Sequence, residues 1–208
     1  MDWRASRTAE VNSPTHSLIA LALLSKRGQT KRNWAVLIGS IIPDIIIYIW
    51  APYQSLVNGV SGAQMWDKLY FEPPMQTAIA LVNSIPIYAA LAFAGWMGRR
   101  KLWGKLLLFF ALAALIHMET DLPVHGHDAY RHFWPLSDWR FHSPISYWER
   151  DLHSTWVSLV EAVIALACII ILWRRFPKLW ARTILSLLAL FYVAMQLVLR
   201  LAAIDIGS

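Results

Sequence analysis

Residues 73 to 98 contain no Asp, Glu, Lys, Arg or His. A run of that length exceeds the ~20 apolar residues with which a helix crosses the ~30 Å hydrocarbon core of a bilayer. Composition points the same way. The chain is 57% hydrophobic and 15% charged, whereas soluble domains run near ~45–50% and ~25%. A disordered chain, a basic nucleic-acid-binding domain and a disulfide scaffold are excluded. The net charge of +6 comes from short basic bursts between apolar runs, which is a topology signal and not a nucleic-acid-binding face. A lone Cys168 within an apolar stretch builds neither a disulfide framework nor a cysteine metal site.

Apolar runs bounded by charge predict a short helix near 14 to 24 and spans near 34 to 53, 76 to 98, 103 to 121, 155 to 173 and 182 to 204. The expected fold class is all-α. It is a polytopic membrane helical bundle of about five spanning helices plus the short N-terminal helix, one embedded domain over 1–208 with an outward His- and aromatic-rich loop at 122–154. At ~1.5 Å per residue the first helix is too short to cross the core unaided. Glu10 and Pro14 before it, and Lys26, Arg27 and Gly28 after it, argue against a cleaved signal peptide. Ser13 as N-cap with Pro14 in the first turn would open it.

Charge orients the bundle. Lys26, Arg27, Lys31 and Arg32 occupy one connection, Arg99, Arg100, Lys101 and Lys105 another, and Arg174, Arg175, Lys178 and Arg182 a third, with no acid among them. The intervening connections, 54 to 75 and 122 to 154, mix few basic residues with acids. The positive-inside rule places the three basic loops in the cytoplasm and the other two outside. The alternation matches the span list, and a bacterial inner membrane is the expected setting.

Six of the seven histidines, His117, His125, His127, His132, His142 and His153, cluster with Glu119, Asp121, Asp128, Asp138, Glu149 and Asp151. Histidine and carboxylate without cysteine suits a divalent metal held by nitrogen and oxygen, zinc first, with Mn or Fe as alternatives. His117 and Asp121, four apart, project from one helix face. Asp128 would join that face if the helix continued, but Pro123 pushes Leu122 away from helical angles. The other reading of the cluster is a solvated loop whose histidines pair with carboxylates or lipid head groups.

Asp44, in Gly39-Ser40-Ile41-Ile42-Pro43-Asp44, is surrounded by isoleucine, and an intramembrane carboxylate costs ~2.5–3.5 kcal/mol without a partner. Pro43 also lacks the amide that would bond back to Gly39, freeing a carbonyl where the helix lines a cavity. With the first basic loop inside, the start of helix one (His16), the second half of helix two (Asp44), the end of helix four (His117, Asp121) and the start of helix five (His153) share the outward depth. Glu161 follows about two turns deeper. Glu149 and His153 form either a second helical ligand pair or a supporting carboxylate and histidine. The aromatic stretch Phe133 to Trp148 reads as a lid on the bilayer surface over the site, or as a plain interfacial girdle.

With Ser13-Pro14-Thr15-His16, Gly39 to Asp44, and the block from His117 through His132-Phe133-Trp134-Pro135 to Ser143-Pro144-Ile145-Ser146-Tyr147-Trp148 and His153, the chain resembles bacterial inner-membrane proteins of the membrane-bound metal-dependent hydrolase family. More remotely, a histidine near the start, a Gly-x-x-x-Pro-Asp element and a later His-x-x-x-Asp are similar to the zinc-dependent phospholipase C and single-strand nuclease group. That resemblance implies up to three zincs acting on phosphodiesters. It also implies His16, Asp44, His117 and Asp121 as ligands, with His125 or His127 the next and His153 a later one. Where that group carries His-x-x-x-Glu, this chain has His142 followed by Ser146, and the nearby equivalent is the reversed Glu149 and His153.

The expected function is metal-dependent hydrolysis of a phosphoester or related bond in a lipid or envelope substrate at the outer face, with Asp128 or His132 as general base or orienting group. Lower in the ligand set stand His127, Glu149 and Glu161. The alternative is a non-catalytic metal-binding or transporting membrane protein. A transporter would want polar residues in the inward halves of the spans, where Asn83, Gln196 and Arg200 are the exceptions to apolar sequence. A haem protein would need facing intramembrane histidines, and His117 alone lies within a span. The bilayer is the expected partner, nucleic acid is not, and the sequence is silent on oligomeric state.

Overall fold

The computed structural model describes residues 13 to 147 and 149 to 207, with the side chains of Ser13, Arg150 and 200 to 207 outside the description. The expected capping role of the Ser13 side chain, the neighbouring Glu10, and Trp148 of the aromatic stretch therefore lie outside the described residues. Among the described residues the α-helices are α1 (Ser13–Leu24), α2 (Thr30–Ile41), α3 (Ile45–Pro52), α4 (Gly62–Asp67), α5 (Pro73–Val82), α6 (Ile85–Met97), α7 (Leu102–Asp121), α8 (Ser154–Arg175) and α9 (Leu179–Gly207), and there is no strand. They supply five stretches long and apolar enough to cross a membrane: Thr30–Val57, Pro73–Met97, Leu102–Val124, Ser154–Arg175 and Leu179–Leu199. The chain is an all-α polytopic membrane bundle. Val160, Val163, Ile170, Leu187 and Leu190 are exposed on its flank, a surface suited to lipid and not to water.

Helix α7 is the centre of the bundle and packs against α1, α2 and α6, while α8 packs against α1 and α9. Ala111, Ala113, Ala114 and Met118 are wholly buried on it, because small side chains let neighbouring backbones approach closely in lipid. The closest approach is at Gly39, where a Cβ would stand 2.1 Å from the Phe110 carbonyl oxygen. Only glycine lets α2 lie this near α7.

Helix α1 depends on its neighbours. Leu18, Ala20 and Ala22 are buried, and its carbonyl end is closed by other elements, as helix termini require. The Arg175 guanidinium donates to the Leu21 and Ser25 carbonyls at 3.0 Å, and Arg32 Nε donates to the Leu24 carbonyl at 2.7 Å. The basic connections following α1 and α8 therefore sit together at one end. At the other end, Thr15 meets Glu161 of α8.

Two of the spans are broken, and the breaks face each other. Pro43 converts Ile42–Asp44 to a 3₁₀ turn in which the Ile45 N–H bonds the Ile42 carbonyl. Between α5 and α6, Asn83 and Ser84 leave helical geometry, and Ser84 caps α6 by accepting from the Ile87 N–H. Asn83 Nδ2 then donates to the Pro43 carbonyl at 2.9 Å. Irregular backbone at membrane depth is tolerated only where protein covers it. The loop after α7 supplies that cover: the Ile85 N–H donates to the His132 carbonyl at 2.8 Å, and the Ser84 hydroxyl donates to the Trp134 carbonyl. Arg140 ties the loop further by donating to the Ala129 carbonyl at 2.6 Å and to Gln76 Oε1 of α5 at 3.0 Å.

Pro123 does not act as expected. Leu122 keeps helical angles (φ −51°, ψ −41°), its N–H reaches the Met118 carbonyl, and a 3₁₀ turn follows over Leu122–Val124. The bias against helix before proline is a preference, and in the first residues of a new turn the missing amide costs little. The aromatic stretch lies partly outward: Phe133, Trp139 and Phe141 form a ring ladder with centroids 5.7 and 6.2 Å apart, and Trp139 is more than half exposed.

Candidate metal centre

The last turns of α7 form the floor of a buried polar cluster. His117, Asp121 and His125 follow at four-residue intervals, so one helix face followed by a 3₁₀ turn carries all three. Asp121 is shared among the histidines: its Oδ1 lies 3.0 Å from His16 Nε2 and 3.5 Å from His125 Nε2, and its Oδ2 lies 3.1 Å from His117 Nε2. Asp44 adds an oxygen 3.5 Å from His117 Nε2. The His16 and His117 rings stand 4.1 Å apart. His16, His117 and Asp121 are at most 3% exposed, and one ligating atom from each falls within 4.8 Å of the others.

Hydrogen bonds on the far side of each imidazole fix which nitrogen faces the cluster. His117 Nδ1 donates to the Ser40 carbonyl at 2.8 Å, a contact made possible by the close approach at Gly39. The Thr120 hydroxyl spends its proton on the Ile116 and His117 carbonyls, so it accepts from His16 Nδ1 at 2.6 Å. His125 Nδ1 faces Asp128 Oδ2 at 3.0 Å. In each case Nδ1 carries hydrogen, and in the neutral imidazole Nε2 presents a lone pair to the cluster. Lone pairs of nitrogen and carboxylate 3.0–3.5 Å apart repel unless a cation lies between them. Ligands of a tetrahedral zinc at ~2.0–2.1 Å stand about 3.3 Å apart; the nitrogen–carboxylate pairs here are 3.0–3.5 Å apart, and one ligating atom from each of His16, His117 and Asp121 lies within 4.8 Å of the others. Protonating all three rings instead would place three cations among buried carboxylates at a large desolvation cost. His117 Nε2 is buried and, although Asp121 Oδ2 lies 3.1 Å away, makes no well-aligned hydrogen bond. The carbonyl end of α7 adds the negative pole of its dipole. The donor set fits a borderline divalent metal.

His132 and Tyr130 border this centre beside His125. His132 Nδ1 donates to the Asn83 carbonyl at 3.2 Å, and its Nε2 is buried without a hydrogen bond. Burial pulls His132 below the ordinary histidine value, with Asp121 acting in the opposite sense. For His125, burial opposes the charged form, but the Asp128 and Asp121 carboxylates outweigh it and hold the ring well above its usual value. A metal binding there must displace a proton. Tyr130 packs between the two, its ring 4.5 Å from His125 and 5.6 Å from His132. Burial, followed by Tyr70 and the Asp121, Asp44 and Asp128 carboxylates, raises its phenol well above the ordinary tyrosine value.

Other expected site residues lie elsewhere. Asp128 reaches the cluster through a turn, with the Ala129 N–H on the Gly126 carbonyl, and not along a continued helix. His127 points to solvent, its side chain 57% exposed, and both its backbone N–H and Nδ1 bond Glu149. His142 Nδ1 donates to the Gly126 carbonyl at 2.8 Å. His153, at the start of α8, is exposed with φ 63° and has no described contact with the centre. Glu161 is buried but accepts from the Thr15 hydroxyl at 2.5 Å beside Tyr192, whereas Asp121 meets the next residue, His16. Sequence reasoning missed the Ser40 carbonyl, Thr120 and Tyr130, and it assigned Asn83 to an inward half-span although it abuts Pro43. Of these, only Asn83 carried a signal, as one of two side-chain amides, with Gln76, in an otherwise uncharged run. Comparison of the chain with protein-family descriptions, with curated proteins and with solved structures finds no match.

Proposed function

We propose that the protein is a membrane-bound metal-dependent hydrolase that cleaves a phosphoester or related bond of a lipid or envelope substrate. The observation that carries the reading is the common orientation of three histidines, each held at Nδ1 by a fixed acceptor while Nε2 faces Asp121. His16, His117, Asp121 and Asp44 would hold the metal, zinc before Mn or Fe, with His125 completing the set. When bound, the metal supplies Lewis acidity and a water of lowered pKa. Asp128 orients His125 through its Nδ1–H, and loss of such a partner weakens metal binding by ~10–100-fold. His132, neutral and with Nε2 free, accepts the proton of the attacking water. The side chains of Asp44 and Asp128 each keep 13% of their surface against 4% for Asp121, so the centre is less enclosed at these two carboxylates. The residues shared with the inner-membrane hydrolase family, and the basic loops gathered at the opposite end, support a bacterial inner membrane with the site facing outward.

The test is metal analysis of detergent-purified protein, followed by turnover of phosphodiester and phosphomonoester substrates, lipids included, after chelation and restoration of Zn, Mn or Fe. Asp121→Asn should lose metal, whereas His132→Gln should keep metal and lose turnover. A second reading, a structural metal site without catalysis, is favoured by the near-complete enclosure of His16, His117 and Asp121. Full metal occupancy without turnover on any substrate would select it.

A further inference from the structure

The loop after α7 packs two buried phenols on His125, Tyr130 at 4.5 Å and Tyr147 at 6.3 Å between ring centroids, and Tyr130 also meets His132 at 5.6 Å. The Tyr130 ring is 6% exposed and packs on Tyr70, Met75 and Ile79, with Ile46 and Ile47 beyond. Those contacts use carbon and would be made equally by phenylalanine. The hydroxyl makes no hydrogen bond to any described residue, yet it is not among the fully enclosed polar atoms that lack partners. The small surface that Tyr130 retains therefore includes its oxygen. A buried tyrosine normally finds a partner for its O–H, and here the ring is fixed between His125 and His132 by contacts on both. A phenol at neutral pH is a donor. Asp121, Asp44 and Asp128 all act on it electrostatically, so it lies close to the centre they surround.

We infer that Tyr130 is a substrate-contacting residue whose hydroxyl donates a hydrogen bond to a nonbridging oxygen of a tetrahedral oxyanion, the phosphoryl group of the substrate, beside His125 and His132. The inference rests on the hydrolase reading and names the group that the site recognises. No proton is transferred from the phenol: it stays neutral and its O–H dipole stabilises charge developing on that oxygen. Preorganised donors of this kind are worth ~10²–10³-fold in rate when one is removed.

Tyr130→Phe removes one oxygen and leaves the ring packing intact. In the full-length protein in detergent, three quantities are measured for wild type and Tyr130→Phe: bound metal, turnover of a p-nitrophenyl phosphodiester, and binding of inorganic phosphate to metal-loaded protein by calorimetry. The expected result is unchanged metal content, kcat lower by ~10²-fold, and phosphate affinity lower by ~10-fold. Wild-type kcat and phosphate affinity in Tyr130→Phe would overturn the inference, as would loss of metal in parallel with loss of activity, which would make Tyr130 part of the scaffold. If wild type turns over no substrate but binds phosphate in a Tyr130-dependent way, the inference stands and the hydrolase reading falls. If wild type shows neither turnover nor phosphate binding, both fall.

Discussion

Gly39→Ala tests whether the geometry of α2 against α7 sets the metal centre. The added Cβ would lie 2.1 Å from the Phe110 carbonyl oxygen; the Cβ is fixed by the α2 backbone and the oxygen belongs to that of α7, so no flexible side chain can swing away. Restoring ordinary contact near 3.4 Å requires α2 to retreat by about 1.3 Å. Ser40 is the next residue, and its carbonyl accepts from His117 Nδ1 at 2.8 Å. A retreat of that size stretches the bond to about 4 Å, beyond hydrogen-bonding range. His117 would then be free to rotate and to change tautomer. Overpacking should cost ~1–3 kcal/mol of stability, and loss of the partner behind His117 should weaken metal binding ~10–100-fold, equivalent to ~1.4–2.7 kcal/mol. Competition with a chromophoric chelator measures the affinity, and thermal unfolding in detergent measures the stability. Gly62→Ala is the control, because nothing lies within 4 Å of its added Cβ. Wild-type affinity in a folded Gly39→Ala protein would refute the argument that the Ser40 carbonyl sets the His117 tautomer.

Further expectations follow from the loop and from topology. Burial lowers the His132 pKa, so as a base it stays available as pH falls below ~6.5, and the acid limb of kcat/KM attributable to it should lie below that value; an acid limb unchanged in a still-active His132→Gln enzyme would assign it to another group. Ser84→Ala removes the hydroxyl that clasps the Trp134 carbonyl and should cost ~1–3 kcal/mol for a buried acceptor left unpaired. It should also raise the rate of proteolysis within 126 to 147, and an unchanged cleavage rate would show that the loop is held by other contacts. Asn83→Ala strips the donor from the Pro43 carbonyl and should lower stability by a similar ~1–3 kcal/mol together with metal affinity, while Asn83→Asp should not restore either. Cysteines introduced at Gln29 and Ser137 in a Cys168→Ala background should label from outside intact cells only at Ser137; labelling at Gln29 instead would place the centre on the cytoplasmic side.

The helical class and the number of spans were legible in the sequence because insertion into hydrocarbon is a local, additive property of apolar runs. The pairing of His117 with Asp121 was legible for a similar reason: helical periodicity alone puts residues four apart on one face. Asp44 announced itself through the cost of a carboxylate among isoleucines. What the tertiary structure decided is which atoms face which. The acceptors that orient His16, His117 and His132 are a threonine hydroxyl and the backbone carbonyls of Ser40 and Asn83, and a carbonyl leaves no mark in residue identity. Pro123 could not reveal that Leu122 would stay helical, because a dihedral preference of that kind yields to the packing of the following turn. His153 and Glu161, at the right depth by helix counting, are turned away from Asp121: one is exposed at the start of α8 and the other is bonded to Thr15. Depth follows from hydropathy along the chain. The azimuth of each side chain depends on how the helices rotate against one another, and contacts distant in sequence, such as Gly39 on Phe110 and Asn83 on Pro43, set that rotation.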